Sequence, residues 1–410
     1  MFSQGQISQV IDAQKQTFLN KDSGIQRESL YEIPVLNSFA TIISGLRRCG
    51  KSTLLLQLMQ KKFSDVLFLN FEDIRLADFG QSDLVLLYNE IDKRKIKTLF
   101  FDELQLVNRW EMFVNQLLRE DYQVFITGSN ASLLSSEFGT HLTGRYVSKE
   151  LFPFSYNEFL ILKKKPANAG SLHEYLITGG VPEFAKTNQA ILLSTLIDDI
   201  LIKDIAVRYS VRDVDSLRKL TLFLLSNIGN LVSANKLTDL FGIKAVSTIL
   251  EYFSYLTETY LIDFVPKFDY STKAQIRNPK KIYAIDTGIA KNVGFSTNEN
   301  AGHLLENLIY LHLRRKYKEI YYFNENKSEC DFVVMKNEKI VQLVQVCWEL
   351  NSDNNEREIG GLMKAMRFFN LNEGCIVTFD MSDLILNNGK TIKVIPARQY
   401  LEKEDTGQNL

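Results

Sequence analysis

A Gly-x-x-x-x-Gly-Lys-Ser pattern at residues 45–52 constrains the fold of this chain more than any other feature. The apolar run "FATII" precedes the pattern, and "TLLLQLMQ", which has the spacing of an amphipathic helix, follows it. In this order of strand, loop and helix, the glycines let backbone N–H groups converge on phosphate oxygens, and the helix N-terminus adds positive potential. The alternative is a glycine-rich turn with no ligand, and a second motif is needed to decide.

Each residue type in the pattern has a chemical role if the loop binds a nucleotide. Gly45 and Gly50 shape the loop, Lys51 reaches the terminal phosphates, and Ser52 ligates Mg²⁺. Thr53, in the first turn of the predicted helix, completes the predicted cofactor-binding set. This assignment predicts a carboxylate elsewhere in the chain that completes the shell of the metal ion.

The run "IKTLFFDE" at residues 96–103 supplies that carboxylate. A buried strand that ends in an acid is where nucleotide hydrolases hold the Mg²⁺ shell, which predicts this role for Asp102. The adjacent Glu103 can then activate the attacking water as a general base. A solvated Asp-Glu pair at a strand end is the alternative, but the phosphate-loop pattern about 50 residues upstream favours a site for ATP or GTP.

A further apolar strand, "YQVFITGSN", ends in the polar residues Thr127, Ser129 and Asn130. A polar side chain at its tip would lie between the two motifs and sense the γ-phosphate, and Asn130 is the first choice, followed by Ser129. Because strands alternate with helices along this part of the chain, the sequence predicts a parallel sheet with right-handed crossovers.

Arg145 follows a glycine in the segment "LTGRYVSKELFPFSYNEFL". An arginine at this position could stabilise transition-state charge on the phosphates, either within its own chain or from a neighbouring subunit. A structural or surface arginine is the alternative.

The composition is that of an ordinary globular protein. The chain has 410 residues, of which 45% are hydrophobic and 24% charged, and its formal net charge is −1. The length predicts two or three domains. The four cysteines show neither metal-type spacing nor disulfide density, and no apolar run reaches the length of a membrane span, so we expect a cytoplasmic location.

The motifs "GLRRCGKSTLL", "LFFDELQ", "ITGSNASLLS", "LTGRY" and "FPFSYNEFL" occur in an order and spacing that resemble a prokaryotic AAA-type ATPase family. The resemblance extends through "GGVPEF", "IYAIDTGI", "LENLIYLHL" and "ECDFVV". It implies ATP rather than GTP as ligand, with Mg²⁺, and the usual ATPase roles for Lys51, Ser52, Asp102 and Glu103. It also implies a winged-helix region and a C-terminal region of unknown function, without a cellular role.

The predicted fold class is therefore α/β, with an AAA-like P-loop NTPase parallel sheet followed by further regions. The expected domains are an ATPase domain with an N-terminal helix at residues 1–160, a helical and winged-helix region at 161–285, and a small α/β nuclease-like domain at 286–410. Three helical segments between residues 216 and 265 with short connections favour the winged helix, and "LIDFVPKFDYSTKAQIRNPKKIYAID" is the predicted wing.

The predicted wing is a better candidate for contact with a nucleic acid than the preceding helix. Lys273, Arg277, Lys280 and Lys281 fall in a segment without acids, and they could neutralise DNA phosphates in a sequence-independent way. The preceding helical segment offers only Lys244 among the Arg, Lys, Asn and Gln residues that read base edges, so a solvated loop is the alternative.

Glu306, Asp331 and Gln345 resemble the acidic pattern of restriction-endonuclease-like nucleases. That chemistry uses carboxylates to hold Mg²⁺ and a lysine to activate water. Here Cys347 stands where the lysine is expected, and Gln345 stands where an acid often is. The sequence therefore predicts a scaffold that does not cut, unless Lys364 on the following helix replaces the missing lysine.

Three classes of function remain open from the sequence. The first is an Mg²⁺-dependent ATPase that couples ATP hydrolysis to rearrangement of its C-terminal domains. The second is an ATP-gated, DNA-processing nuclease. The third is a nucleotide-regulated interaction module with little turnover. A homo-oligomer is compatible with each of them, and no membrane partner is expected.

Overall fold

The computed structural model describes residues 2–36, 38–129, 144–243, 245–294, 301–326 and 328–402. It consists of two compact units, the first formed by residues 1–152 and 258–260, and the second by residues 153–257 and 261–410. None of the helices in these described ranges has the length and apolar character that would let it cross a membrane.

Among its described residues, the first unit contains five strands and four helices. The strands are β1 (Ala40–Ser44), β2 (Leu67–Asn70), β3 (Thr98–Asp102), β4 (Gln123–Gly128) and β5 (Tyr146–Glu150). The helices are α1 (Gln4–Leu19), α2 (Lys51–Lys62), α3 (Asp83–Arg94) and α4 (Trp110–Arg119), with short 3₁₀ turns at Glu28–Tyr31, Ile74–Leu76 and Leu104–Leu106.

The five strands form one parallel sheet in the order β2-β3-β4-β1-β5. Strands in parallel sheets are covered on both faces, which is why β1, β3 and β4 are apolar over most of their length. Their side chains pack with α1, whose Ile7 and Ile11 are fully buried in the same core as Phe101 and Val124. All five strands point the same way, so the carboxyl ends of β1, β3 and β4 lie at one edge of the sheet.

The second unit begins with helices. They are α5 (Tyr156–Lys163), α6 (Ala169–Thr178), α7 (Pro182–Thr187), α8 (Ile191–Asp199), α9 (Val214–Ser226), α10 (Ala234–Phe241), α11 (Val246–Glu258), α12 (Thr272–Arg277) and α13 (Thr287–Val293). A π-helical stretch, Ile200–Ala206, continues α8 into a final turn at Val207–Tyr209. The helical segments predicted between residues 216 and 258 are present as α9, α10 and α11.

A three-stranded antiparallel sheet accompanies these helices, in the order β6-β8-β7. Its strands are β6 (Leu231–Val232), β7 (Ile262–Pro266) and β8 (Lys280–Ala284). The predicted wing is thus a β7–β8 hairpin, and the short helix α12 lies in the connection between its strands. The assignment as a winged helix stays a prediction.

The remainder of the second unit is an α/β sheet with helices. Its strands are β9 (Glu319–Glu325), β10 (Ser328–Lys336), β11 (Lys339–Val346), β12 (Glu373–Thr378), β13 (Asp383–Asn387) and β14 (Lys390–Pro396), and its helices are α14 (Ala301–Lys316), α15 (Asn355–Phe368) and α16 (Ala397–Glu402). The order is β13-β14-β12-β11-β10-β9, with mixed parallel and antiparallel pairs. Gly361 lets α15 approach β10, because a Cβ at this glycine would lie 2.1 Å from the carbonyl oxygen of Glu329.

The loop "GGVPEF" and the segment "AIDTGI" form one buried structural contact. Asp286 Oδ2 accepts a hydrogen bond from the backbone N–H of Gly180 at 2.6 Å, and its Oδ1 caps the first turn of α13 at Ile289 N, 3.0 Å away. A Cβ at Gly180 would lie 2.1 Å from the carbonyl oxygen of Phe154, so only glycine fits there. These two motifs therefore have a packing role in the second unit.

The predicted α/β fold class with a parallel sheet is confirmed. The division into three domains at residues 160 and 285 stays a prediction.

Candidate functional site

The first candidate site lies at the carboxyl edge of the parallel sheet. β1 ends at Ser44 and leads into the glycine-rich loop, while β3 ends at Asp102. β4 lies between these two strands, and its Thr127 is directly beside Asp102 in the parallel register. The sheet thus joins the two sequence motifs through a strand that carries a polar side chain between them, as the alternation of apolar runs predicted.

The glycine-rich loop adopts a backbone that other residues rarely tolerate. Gly45 has φ of +148° and Gly50 has φ of +100°, and α2 begins immediately afterwards at Lys51. Ser52 and Thr53 occupy its first turn, so the free backbone N–H groups of the helix N-terminus lie at the loop. The strand, loop and helix predicted from the sequence are all present.

Lys51 is buried and its ammonium group is bound to the loop itself. Its side chain donates to the carbonyl oxygens of Gly45 and Leu46, both at 3.0 Å, and the residue is only 6% exposed. Neutral carbonyl oxygens stabilise a buried ammonium less than an anion does. An anionic phosphate at the loop would therefore be a stronger partner for this group.

Asp102 is the centre of a hydrogen-bonded network. Its Oδ2 accepts from Ser52 Oγ at 2.8 Å and from Asn70 Nδ2 at 3.3 Å, and its Oδ1 accepts from Thr127 Oγ1. The residue is 2% exposed, so these three donors hold the carboxylate in one orientation. The hydroxyl and carboxylate oxygens of Ser52 and Asp102 form a donor set of the type that Mg²⁺ prefers.

Asn70 and Gln14 belong to this network, although the sequence interpretation did not assign them a role. Asn70 ends β2, and its backbone N–H donates to Gln14 Oε1 at 2.7 Å, while Gln14 Nε2 donates to the carbonyl oxygen of Asn70 at 3.0 Å. Asn70 could have been identified from the sequence, because it is a polar residue at the end of the apolar strand "VLFLN", just as Asp102 is at the end of its own strand. Gln14 had none, because only the packing of α1 brings it to β2.

Glu103 has an unusual backbone and an unusual acidity. Its φ of +55° is left-handed, a conformation that costs a non-glycine residue about 1–3 kcal/mol and recurs at functional sites. Its N–H donates to Thr127 Oγ1 at 3.4 Å, and its carboxylate accepts from Gln105 Nε2. Burial raises the pKa of the Glu103 carboxyl to about 7, with the charges of Asp102 and Glu72 adding to this effect against the opposing Lys51 ammonium.

The predicted sensor residue Asn130 lies outside the described residues. Ser129, the second choice, is buried at the end of β4. Which of the two contacts phosphate stays a prediction.

Arg145 lies at the amino-terminal ends of the strands, whereas the glycine-rich loop lies at their carboxyl ends. Its carbonyl oxygen accepts from the N–H of Ala40, the first residue of β1, at 3.0 Å, and its side chain is exposed. The loop follows Ser44 at the other end of β1, roughly 13 Å further along the strand. The structure does not bring Arg145 to the loop of its own chain, so only its action from a neighbouring subunit stays a prediction.

The second unit contains a cavity of about 630 Å³ that gathers the predicted nuclease-like residues. Glu306, Asp331 and Gln345 all line it, and all three side chains are largely buried. Gln345 joins the others through its Oε1, which accepts from the backbone N–H of Asp331 at 3.3 Å, and its Nε2 donates to Glu358 at 2.6 Å.

A lysine that the sequence interpretation placed elsewhere occupies the centre of this cluster. Lys281 Nζ lies 3.0 Å from Glu306 Oε1, 2.7 Å from Glu329 Oε1 and 2.7 Å from Asp331 Oδ1. Burial disfavours the charge on Lys281, but the carboxylates of Asp331 and Glu306 outweigh it and hold the pKa of the ammonium well above its usual value. Lys281 is therefore a permanent internal counter-charge.

This arrangement corrects two predictions. A DNA contact is wrong for Lys281, because its side chain is only 3% exposed and is bound to carboxylates. Lys364 is not the replacement lysine, because its Nζ donates to the carbonyl oxygen of Glu325 at 2.8 Å and lies 3.3 Å from that residue's carboxylate. Within the described ranges, no group of three or more His, Cys, Asp or Glu side chains is placed to hold a metal ion.

The structure also places the other basic residues of the predicted wing and Cys347. Lys273 and Arg277 are exposed on α12, and Lys280 is half-buried at the start of β8. Cys347 lines the cavity, and burial raises the pKa of its thiol to about 12, so the thiol is uncharged at neutral pH as predicted.

Comparison with known proteins gives three consecutive family matches. Residues 37–160 match an AAA domain, residues 169–299 a domain of unknown function (DUF8612), and residues 301–400 a second domain of unknown function (DUF4143). The first match contains the glycine-rich loop, Asp102 and Glu103.

Two relatives align with most of the chain. The uncharacterized protein MJ1544 of Methanocaldococcus jannaschii is 32% identical over 382 residues, which cover 87% of this chain and 83% of that protein. The chain belongs to the family of this protein. An uncharacterized protein of Haemophilus influenzae is 31% identical over 345 residues, which cover 78% of this chain and 85% of that protein. The Cdc6p structure from Pyrobaculum aerophilum is 13% identical and covers 75% of this chain and 93% of that one, but its TM-score of 0.28 is too low to support any conclusion.

The first unit of this chain thus contains an AAA-type P-loop, nucleotide-binding domain. The matched regions also show how each site is composed. Gln14 lies outside the AAA match, so a segment before that domain contributes to the network around Asp102. Lys281 lies in the second matched region, whereas Glu306 and Asp331 lie in the third, so the cavity combines residues from two of them.

Proposed function

We propose that this protein is an Mg²⁺-dependent ATPase that couples ATP binding and hydrolysis to rearrangement of its C-terminal regions. The observation that carries the proposal is the convergence of Lys51, Ser52 and Asp102 at one edge of the sheet, with Ser52 Oγ 2.8 Å from Asp102 Oδ2. These are the three groups that a bound nucleotide and its metal ion require.

The residues present suit both ligands. The Lys51 ammonium is bound only by the carbonyl oxygens of Gly45 and Leu46 among the contacts in the described residues, and both are neutral. Ser52 and Asp102 would hold Mg²⁺, which neutralises phosphate charge and polarises the phosphoryl group when bound. The preference for ATP over GTP rests on the match of residues 37–160 to an AAA domain.

The roles of the protein groups follow from their geometry. Lys51 supplies positive charge to the phosphates, while Asn70 and Thr127 hold the Asp102 carboxylate in its orientation. Glu103, ionised, accepts the proton of the attacking water. Its left-handed backbone turns the residue out of the line of β3, and its N–H is bound to Thr127, so the base is positioned by the same strand that separates the two motifs.

The proposal is tested by the pH dependence of ATP hydrolysis. Glu103 must be ionised to act as a base, and its pKa is raised to about 7, so kcat/KM should fall below pH 7 by roughly tenfold per pH unit. Steady-state rates between pH 5.5 and 8.5 measure this fall in kcat/KM. The residual hydrolysis by Glu103→Gln is the control, because a fall in rate at low pH that persists in this variant reflects protonation of ATP itself. Absence of turnover at every pH would leave the interaction module as the better description.

Arg145 is proposed to act from a neighbouring subunit, because it lies at the far edge of its own sheet. We expect Arg145→Ala to lower kcat while leaving ATP affinity nearly intact, since the contact forms in the transition state. Mixing Arg145→Ala protein with Lys51→Ala protein should restore part of the activity, because the mixed assembly contains a site with both residues intact. An unchanged kcat in Arg145→Ala, or no recovery on mixing, would contradict this role.

For the second unit we propose a nuclease-like scaffold that does not cleave DNA. Lys281 places one ammonium among the carboxylates of Glu306, Glu329 and Asp331, so part of their negative charge is already compensated within the protein and the ammonium occupies the position between them. A protonated amine of this kind cannot take a proton from water. A metal ion would have to displace it against a buried ion pair, whose disruption costs about 3–5 kcal/mol.

We therefore expect no cleavage of plasmid, linear or single-stranded DNA with Mg²⁺ or Mn²⁺, in the presence or absence of ATP. Gel assays of the full chain measure this, and Asp331→Ala is the control for a contaminating nuclease. Cleavage by the wild-type protein that disappears in Asp331→Ala would show that the cluster is an active centre and would favour the ATP-gated nuclease.

A further inference from the structure

The chain leaves or re-enters the first unit at three points: after Phe152, before Glu258 and after Tyr260. The first-unit residues next to these points are Phe152 and the segment 258–260. Leu151, the residue before Phe152, contacts the glycine-rich loop. Tyr260 contacts Ser44, the residue that immediately precedes the loop.

The segment that ends at Phe152 is packed directly against the loop. Cys49 Sγ donates to the carbonyl oxygen of Leu151 at 3.3 Å. A Cβ at Gly45 would lie only 2.2 Å from that same oxygen, so the close approach requires glycine at the first position of the loop. The N–H of Leu151 also donates to the carbonyl oxygen of Ser44 at 2.7 Å. The start of the loop therefore cannot move without disturbing Leu151.

Arg27 adds a direct bridge between the loop and Phe152. Its Nη1 donates to the carbonyl oxygen of Cys49 at 2.8 Å, and its Nη2 donates to the carbonyl oxygen of Phe152 at 2.7 Å. The residue is 2% exposed, and its own N–H is held by Gln57 Oε1 of α2 at 3.0 Å. A guanidinium is a rigid fork whose two arms fix the separation of two acceptors, which a lysine cannot do.

Tyr260 makes the corresponding contact at the second segment. Its hydroxyl donates to Ser44 Oγ at 2.6 Å, and both residues are buried. Its backbone is left-handed, with φ of +61°, which turns the chain where it leaves the first unit again. Ser44 thus contacts both segments, one through its carbonyl oxygen and one through its hydroxyl.

We propose that Arg27 and Tyr260 are positioning residues of the nucleotide site that couple occupancy of the glycine-rich loop to the two segments through which the chain passes into the second unit. The proposal rests on the proposed function in one respect, namely that a nucleotide binds the loop. A phosphate that draws the Lys51 ammonium from the carbonyl oxygens of Gly45 and Leu46 changes the hydrogen bonding of the loop. The loop contacts Leu151 directly, Phe152 through Arg27 and Tyr260 through Ser44, so the change reaches all three, and the coupling is reciprocal.

Hydrogen–deuterium exchange of the full chain tests the coupling. The background is Glu103→Gln, so that Mg²⁺-ATP binds with little turnover. We expect ATP to change exchange in peptides covering residues 153–160 and 261–266. Tyr260→Phe and Ser44→Ala should each remove the change at 261–266, and Arg27→Lys should remove it at 153–160.

Nucleotide affinity supplies the second readout, measured by titration with a fluorescent ATP analogue. Loss of the Tyr260 hydroxyl should weaken binding by roughly threefold to tenfold, the range for one buried hydrogen bond. The double variant Ser44→Ala/Tyr260→Phe should bind no more weakly than either single variant, because all three lack the same contact. Tyr400→Phe is the matched control, since its hydroxyl donates to Gln342 at 2.9 Å within the second unit, and it should leave affinity and exchange unchanged.

The outcomes separate this inference from the proposed function. If wild-type protein does not bind the nucleotide, both are wrong. If it binds but exchange in the two peptides does not respond to ATP, the coupling alone is wrong. The same holds if exchange responds as strongly in Tyr260→Phe and Ser44→Ala as in the parent protein. If Arg27→Lys does not fold, the Tyr260 and Ser44 variants still decide the result.

Discussion

Glu103→Gln should bind ATP with nearly wild-type affinity and hydrolyse it about a hundredfold more slowly or worse, as expected for a lost general base. The substitution removes the proton acceptor but keeps the size of the side chain and its position after Asp102. Glu103 is a suitable base because burial raises its pKa to about 7, which places the carboxyl near the pH at which it both ionises and accepts a proton well.

Single-turnover hydrolysis and direct nucleotide titration separate the two effects. Glu72→Gln is the matched control, because Glu72 is a nearby exposed carboxylate that contributes to the pKa of Glu103 but has no assigned contact with water or phosphate. It should change the pH profile slightly and leave the maximal rate intact. Equal rates for wild type and Glu103→Gln would remove Glu103 from the mechanism.

Lys51→Ala should abolish nucleotide binding. The ammonium is buried at 6% exposure, so its interaction with phosphate is little screened by solvent. Charge-assisted hydrogen bonds of this kind contribute about 1.5–3 kcal/mol each, so the loss of more than one corresponds to a hundredfold or larger fall in affinity. Calorimetric titration of the wild-type and Lys51→Ala proteins with ATP, with and without Mg²⁺, measures this fall in affinity.

One control variant and one spectroscopic measurement distinguish a specific loss of nucleotide binding from loss of the fold. Lys62→Ala removes an exposed lysine at the end of α2 and should leave binding unchanged. Circular dichroism of Lys51→Ala should retain the wild-type spectrum, because the carbonyl oxygens of Gly45 and Leu46 lose only one shared donor. Wild-type affinity in a folded Lys51→Ala protein would rule out the glycine-rich loop as the phosphate site.

Most of the nucleotide site could be predicted because its chemistry is encoded in short, contiguous segments. A strand, a glycine-rich loop and a helix are adjacent in the chain, so Gly45, Gly50 and Lys51 reveal their geometry without knowledge of the rest of the fold. Asp102 was predictable for a related reason, since the polar residue at the end of an apolar strand must lie at the carboxyl edge of a parallel sheet.

Other parts of the site depend on contacts between distant segments. The register of β5 with β1 decides that Arg145 lies away from the loop, and nothing in "LTGRY" encodes that register. Gln14 reaches Asn70 across 56 positions of sequence because α1 packs on the sheet. Arg27 gave no signal at all, because the groups of Cys49 and Phe152 that its guanidinium binds are backbone carbonyl oxygens, which every residue possesses.

Lys281 shows most clearly that burial depends on contacts between distant segments. By sequence it belongs to a basic stretch with Lys273 and Lys280, and a charge count alone predicts an exposed surface for all of them. Lys281 lies in the buried part of β8, whereas Lys280 at the start of the strand stays partly accessible, and three carboxylates from α14 and β10 meet Lys281 there. The sequence by itself determined the strand, loop and helix of the candidate nucleotide site, because local patterns define them. Only the tertiary structure decided which cation is buried, because burial depends on which distant charges the fold brings together.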